Sequence, residues 1–153
     1  KNKLPFKTHL STSIYREGKQ LRGGYYIHLE PNNNFIACGF WNPNKEDLFR
    51  IRKELELEYE EFSNLLNEKD LKNQWGELFG EQLKSCPKGF DKEHQAIQWL
   101  RFKQFILIKN FTNEECIKED FSKKVIDSFI SARPFLDFMT LALTTDLNGE
   151  PII

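Results

Sequence analysis

His28 and Glu30 stand two apart in the run Gly24-Tyr25-Tyr26-Ile27-His28-Leu29-Glu30. In an extended strand successive side chains alternate between faces, so both project from one side, with Tyr26 beside them. An imidazole and a carboxylate held in this way can ligate a divalent metal and leave positions open for a substrate, which would make a metal-dependent enzyme centred on His28 and Glu30. A third ligand would have to come from His9 or His94, and no spacing argues for either. The same side chains can equally form a hydrogen-bonded structural network. Since spacing supports only a pair and structural zinc takes four ligands, neither an ordered metal nor another cofactor is expected.

Anion recognition is the second chemistry within reach. Lys7, Arg16, Arg22, Arg50, Arg52 and Lys88 supply cations, and arginine offers a planar fork for carboxylate or phosphate. The leading expectation is a small polar or anionic ligand on the polar face of the 24–41 hairpin, with Lys7, Arg22 and Arg52 as charge partners. Tyr26, His28 and Glu30 would orient it. Solvated surface charge is the ordinary alternative for such residues, and a purely structural or interaction module is the third reading.

Other chemistries lack their motifs. Gly23-Gly24 is too short for a phosphate-cradling loop, and neither GxxxxGK[ST] nor a GxSxG elbow occurs. The cysteines are Cys38, Cys86 and Cys116, without a CxxC, so neither a disulfide framework nor a zinc ribbon is readable. Cys38 lies in an apolar strand context where burial suppresses the thiolate. The acids at 54, 56, 58, 60 and 61 read as the solvated face of helices.

Positioning these groups requires a folded core, and 153 residues with 14 Phe can build one as a single domain. Charge is nearly balanced at 22 basic against 23 acidic residues, which removes the electrostatic footprint of a nucleic-acid binder. The apolar runs are far shorter than the ~20 residues of a membrane span, and no signal-peptide pattern is present, so a cytoplasmic location is expected. Residues 1–22 carry six basic side chains against the lone acid Glu17. This segment is either an anion-facing surface or a solvated, frayed terminus, the commoner fate of charged ends.

The fold class reads as α+β, an antiparallel hairpin-containing sheet covered by three to five helices. Tyr25, Ile27 and Leu29 should be buried, with Tyr26, His28 and Glu30 on the opposite face. Pro31-Asn32-Asn33-Asn34 turns the chain into a second strand, Phe35 to Trp41, whose register leaves open which row of side chains joins which. Asn44 with Asp47 caps a helix, and the spacing predicts two helices over about 45–56 and 58–67. Short strands are expected over Trp75–Leu83, a helix over Lys92–Trp99 and a strand over Phe102–Phe111. Thr112 with Glu115 forms a capping box, and a final helix covers roughly 133–145.

Several segments taken in order resemble a known pattern: Leu4-Pro5-Phe6-Lys7-Thr8-His9, Gly24 to Pro31, Gly39-Phe40-Trp41-Asn42-Pro43, Ile51-Arg52, Pro87 to His94, Leu100-Arg101-Phe102-Lys103 and Arg133-Pro134-Phe135-Leu136. The chain resembles the uncharacterised bacterial family catalogued as domain of unknown function 2461 (DUF2461). The resemblance implies no reaction, substrate or cofactor. It implies a further N-terminal portion, so that 1–153 would be about the C-terminal two thirds of a longer family domain. The surface left by that portion would then either support a homodimer or show as an exposed patch rich in Phe.

Overall fold

The computed structural model describes residues 6–18, 21–146 and 148–152. Four antiparallel strands form one sheet in sequential order: β1 Leu10–Tyr15, β2 Gly24–Leu29, β3 Asn34–Phe40 and β4 Phe105–Phe111. Helices α1 Lys45–Leu57, α2 Tyr59–Asn67, α3 Lys69–Trp75 and α4 Ile97–Leu100 lie between β3 and β4 in the chain. After β4 come α5 Asn113–Cys116, α6 Phe121–Ser131 and α7 Arg133–Thr144. The class is α+β, as the sequence implies.

One row each of β3 and β4 feeds the core. Ile36, Cys38 and Phe40 of β3 and Phe105, Leu107 and Phe111 of β4 are buried with Ile51, Leu55, Phe62, Phe135, Leu136 and Met139 of the helices. Aromatic side chains supply much of this contact: Phe62 meets Trp99 edge-on at 5.2 Å and Phe138 at 5.1 Å between ring centroids. Such pairs add about 0.5–1.5 kcal/mol to the stabilisation from area burial.

The helix signals act where the sequence places them. Asn44 caps α1 by accepting the Asp47 backbone N–H at 2.8 Å. Thr112 and Glu115 form the reciprocal capping box, but α5 stops at Cys116 and α6 starts afresh at Phe121. Arg133-Pro134 opens α7, where proline loses no needed hydrogen bond.

Four expectations are corrected. Residues 10–15 pair with β2 along their length, from Leu10↔Leu29 to Tyr15↔Gly24, so this part of the basic segment is neither loose nor terminal coil. Trp75 ends a helix because Leu71 and Trp75 bury one face, and only the isolated bridges Phe79↔Ile106 and Gln82↔Phe102 follow it. The helix expected from Lys92 begins at Ile97, since turns occupy the preceding residues. Tyr25, Ile27 and Leu29 are half-buried, whereas His28 on the opposite face is only 8% exposed.

The strand 10–15 also lies beyond the helical cover, leaving Leu10 76% and Ile14 42% exposed. Arg16 straps this edge to α7 by binding Asp137 and the Thr140 hydroxyl.

Gly39 sits at φ +131°, and a Cβ there would lie 2.1 Å from the Phe105 carbonyl oxygen. That close approach lets β3 pair with β4 at this point. Gly39→Ala should therefore cost about 2–3 kcal/mol through backbone strain and clash. Urea unfolding with a wild-type midpoint would contradict this account.

Candidate functional site

The pairing of β2 with β3 sets Tyr26 opposite Ala37 and His28 opposite Phe35. The polar row of β2 thereby joins the Phe35-Ala37-Gly39 row, away from the core row Ile36-Cys38-Phe40. Together with residues 21–24 and 41–44, these side chains line an open trough of about 1020 Å³. Its lining is mainly apolar and includes Phe35, Ala37 and Trp41, with Arg22, Tyr26, His28 and Asp47 as polar groups.

At one end Tyr26 and His28 begin a polar chain that continues to Glu30, which is not among the lining residues. The Tyr26 hydroxyl lies 3.2 Å from His28 Nδ1, and His28 Nε2 lies 3.2 Å from Glu30 Oε2. A carboxylate only accepts, so in the neutral ring Nε2–H donates to Glu30 and Nδ1 accepts the Tyr26 proton. The arrangement can pass a proton between a phenol and an imidazole oriented by a carboxylate.

Local packing fixes each member. His28 is stacked between His9, at 4.5 Å, and Phe35, at 4.8 Å. The Thr8 hydroxyl donates to Glu30 Oε1 at 2.9 Å, and the Asn33 amide donates to Oε2 at 2.8 Å. These bonds, Asn33 first, then Thr8 and His28, hold the Glu30 carboxyl down to about 2.

The turn that presents Glu30 is itself anchored. Its backbone N–H donates to the Asn34 side chain at 3.0 Å, and Asn113 Oδ1 accepts from the Asn32 backbone and from Asn34 Nδ2, each at 2.9 Å. Asn32 takes the left-handed conformation at φ +66°, which asparagine tolerates better than most residues.

His9, Thr8 and Asn33 carry parts of the site that spacing did not argue. The signal for His9 lies in the strand register: continuing Leu10↔Leu29 by one residue sets His9 opposite Glu30. His9, His28 and Glu30 can each bring one ligand atom within 4.8 Å of the others.

The cations disperse. Arg22 lines the trough and pairs with Asp47 at 2.6 Å. Lys7 is exposed and is not among the lining residues. Arg52 is buried in α1, where Nη2 donates to the Phe102 carbonyl at 2.9 Å and Nε has no hydrogen-bond partner among the described residues. The proposed charge partners are therefore not gathered at one place, and Arg52 belongs to the helix packing. Arg50 is likewise occupied, donating to the Thr145 carbonyl at 2.6 Å. Cys38 is buried, which pushes its thiol up and removes it as a nucleophile.

A family model described as conserved hypothetical protein (DUF2461) matches residues 1–138. The chain belongs to the DUF2461 family. No curated protein and no solved structure matches it. The DUF2461 match spans all four strands and the first half of α7, so the trough and its polar end lie within the matched residues.

Because the folded Glu30 titrates below its ordinary value, its hydrogen bonds stabilise the fold above about pH 4.5 and are lost as pH falls toward about 2. Across that window the melting temperature of the wild type should fall more steeply than that of Glu30→Gln. Parallel acid melting curves would show that the carboxylate is not so held.

Proposed function

We propose that the chain recognises a small polar or anionic ligand in the trough on the hairpin's polar face. The observation that carries this reading is the convergence of Tyr26 and His28 with Arg22 and an apolar floor in one cavity of about 1020 Å³. Ligand sites typically combine an apolar wall with a few placed polar groups in cavities of roughly 300–1,000 Å³. Phe35 and Trp41 would cover the ligand's apolar part, while Tyr26 and His28 would meet its polar head. Arg22, held by Asp47 at 2.6 Å, would offer hydrogen-bond donors rather than a full unpaired charge. Lys7 and Arg52 play no part in this version, because neither lines the cavity.

A melting-temperature panel of phosphates, sugars and dicarboxylates tests the proposal. A compound that binds only the native state stabilises it, by about 2.7 kcal/mol at 100 times its Kd. At least one class should raise the melting temperature of the wild type, and Tyr26→Phe and Arg22→Ala should each reduce that rise. A panel without any rise, or a rise untouched by both substitutions, would defeat the proposal.

A further inference from the structure

We infer that His9, His28 and Glu30 form a binding site for one divalent first-row transition ion, beside the trough that His28 lines. The inference goes beyond ligand recognition and does not depend on it. Two imidazoles and one carboxylate suit zinc and its neighbours in the series, and three protein ligands leave a coordination position open. An expectation of no metal rested on two ligands; strand pairing supplies the third by bringing His9 alongside Glu30.

Geometry favours the site. Bonds of about 2.0–2.2 Å around a tetrahedral ion set its ligand atoms about 3.4 Å apart. The His28 Nε2 to Glu30 Oε2 separation is already 3.2 Å. The three ligand atoms lie within 4.8 Å of one another, so His9 has to move inward by about an ångström. His9 is half-buried and lies just before β1, outside the strand, so its side chain can shift without breaking the ladder. His28, by contrast, is held by the Phe35 ring stacked on it at 4.8 Å and by the Tyr26 hydroxyl, and gives the ion a fixed point.

The groups behind the ligands strengthen the case. A metal-binding histidine usually donates its other ring N–H to a partner, and metal-binding carboxylates are themselves hydrogen-bonded. When Nε2 of His28 takes an ion, the ring proton moves to Nδ1, which then donates to the Tyr26 hydroxyl 3.2 Å away. Thr8 and Asn33 already hold both oxygens of Glu30. At 3.2 Å the direct His28–Glu30 contact is longer than the roughly 2.7–2.9 Å of a strong charge-assisted bond, so replacing it with an ion forfeits little. A plain stack of histidines needs neither the carboxylate nor its two donors.

Calorimetric titration of the whole chain with Zn²⁺ alone, and optical titration with Co²⁺, test the site. One ion should bind per chain, and His9→Ala and Glu30→Gln should each weaken binding at least tenfold, with His94→Ala at wild-type affinity. Tyr26→Phe should weaken it by about tenfold. Circular dichroism and melting without metal would establish that each variant folds; His9, being half-exposed, is the informative one if Glu30→Gln does not. Failure to saturate at one ion, an unchanged affinity in His9→Ala, or a thiolate charge-transfer band from Co²⁺ on a cysteine would overturn the inference. The titration contains no organic ligand, so its failure would leave the trough reading standing.

Discussion

The hydrogen-bonded ladder on both sides of β2 fixes more of this molecule than any other set of contacts. With β1 along one edge and β3 along the other, β2 has no freedom to slip by a residue. A slip of one would exchange Tyr25 and Ile27 with Tyr26 and His28, placing an imidazole against the helices and an isoleucine in the trough. The cost of carrying that imidazole and the Tyr26 hydroxyl into the apolar core holds the register alongside the apolar contacts. The core and the site are thus two faces of one pairing decision.

Legibility in the sequence followed the range of the interaction. The alternation from Tyr25 to Glu30, the Asn44 cap and the Thr112–Glu115 box are local and could be read directly. Strand β1 could not, because Ser11, Thr12 and Ser13 give no apolar alternation and the strand is exposed along its length. It exists through pairing with β2, a partner that lies many residues away. Trp75 was misread for a related reason: Gly76 and Gly80 punctuate the segment like strand boundaries, whereas Gly76 at φ +71° terminates a helix.

The candidate site divides in the same way. Tyr26, His28 and Glu30 were legible as a row, since period 2 is a local rule. Arg52 was misassigned because charge says nothing about direction: its neighbour Ile51 and the i+3 residue Leu55 both face the core, and its stem follows them. Arg16 and Arg22 read as cations available to an anionic ligand, yet Asp137 and Asp47 pair with them. Partners more than 20 residues distant decide such cases, and composition carries no trace of them.

The asparagine lattice at the hairpin tip has a consequence of its own. Asn32, Asn34 and Asn113 join the turn to the start of α5 entirely through neutral amides and backbone groups. Amides neither titrate in the range where proteins fold nor respond to Debye screening, unlike an ion pair in the same place. The scaffold behind Glu30 therefore keeps its geometry when salt or acidity changes, so the carboxylate can change its own charge without its support changing shape. The shape of the frame is thereby uncoupled from the charge state of the group it presents.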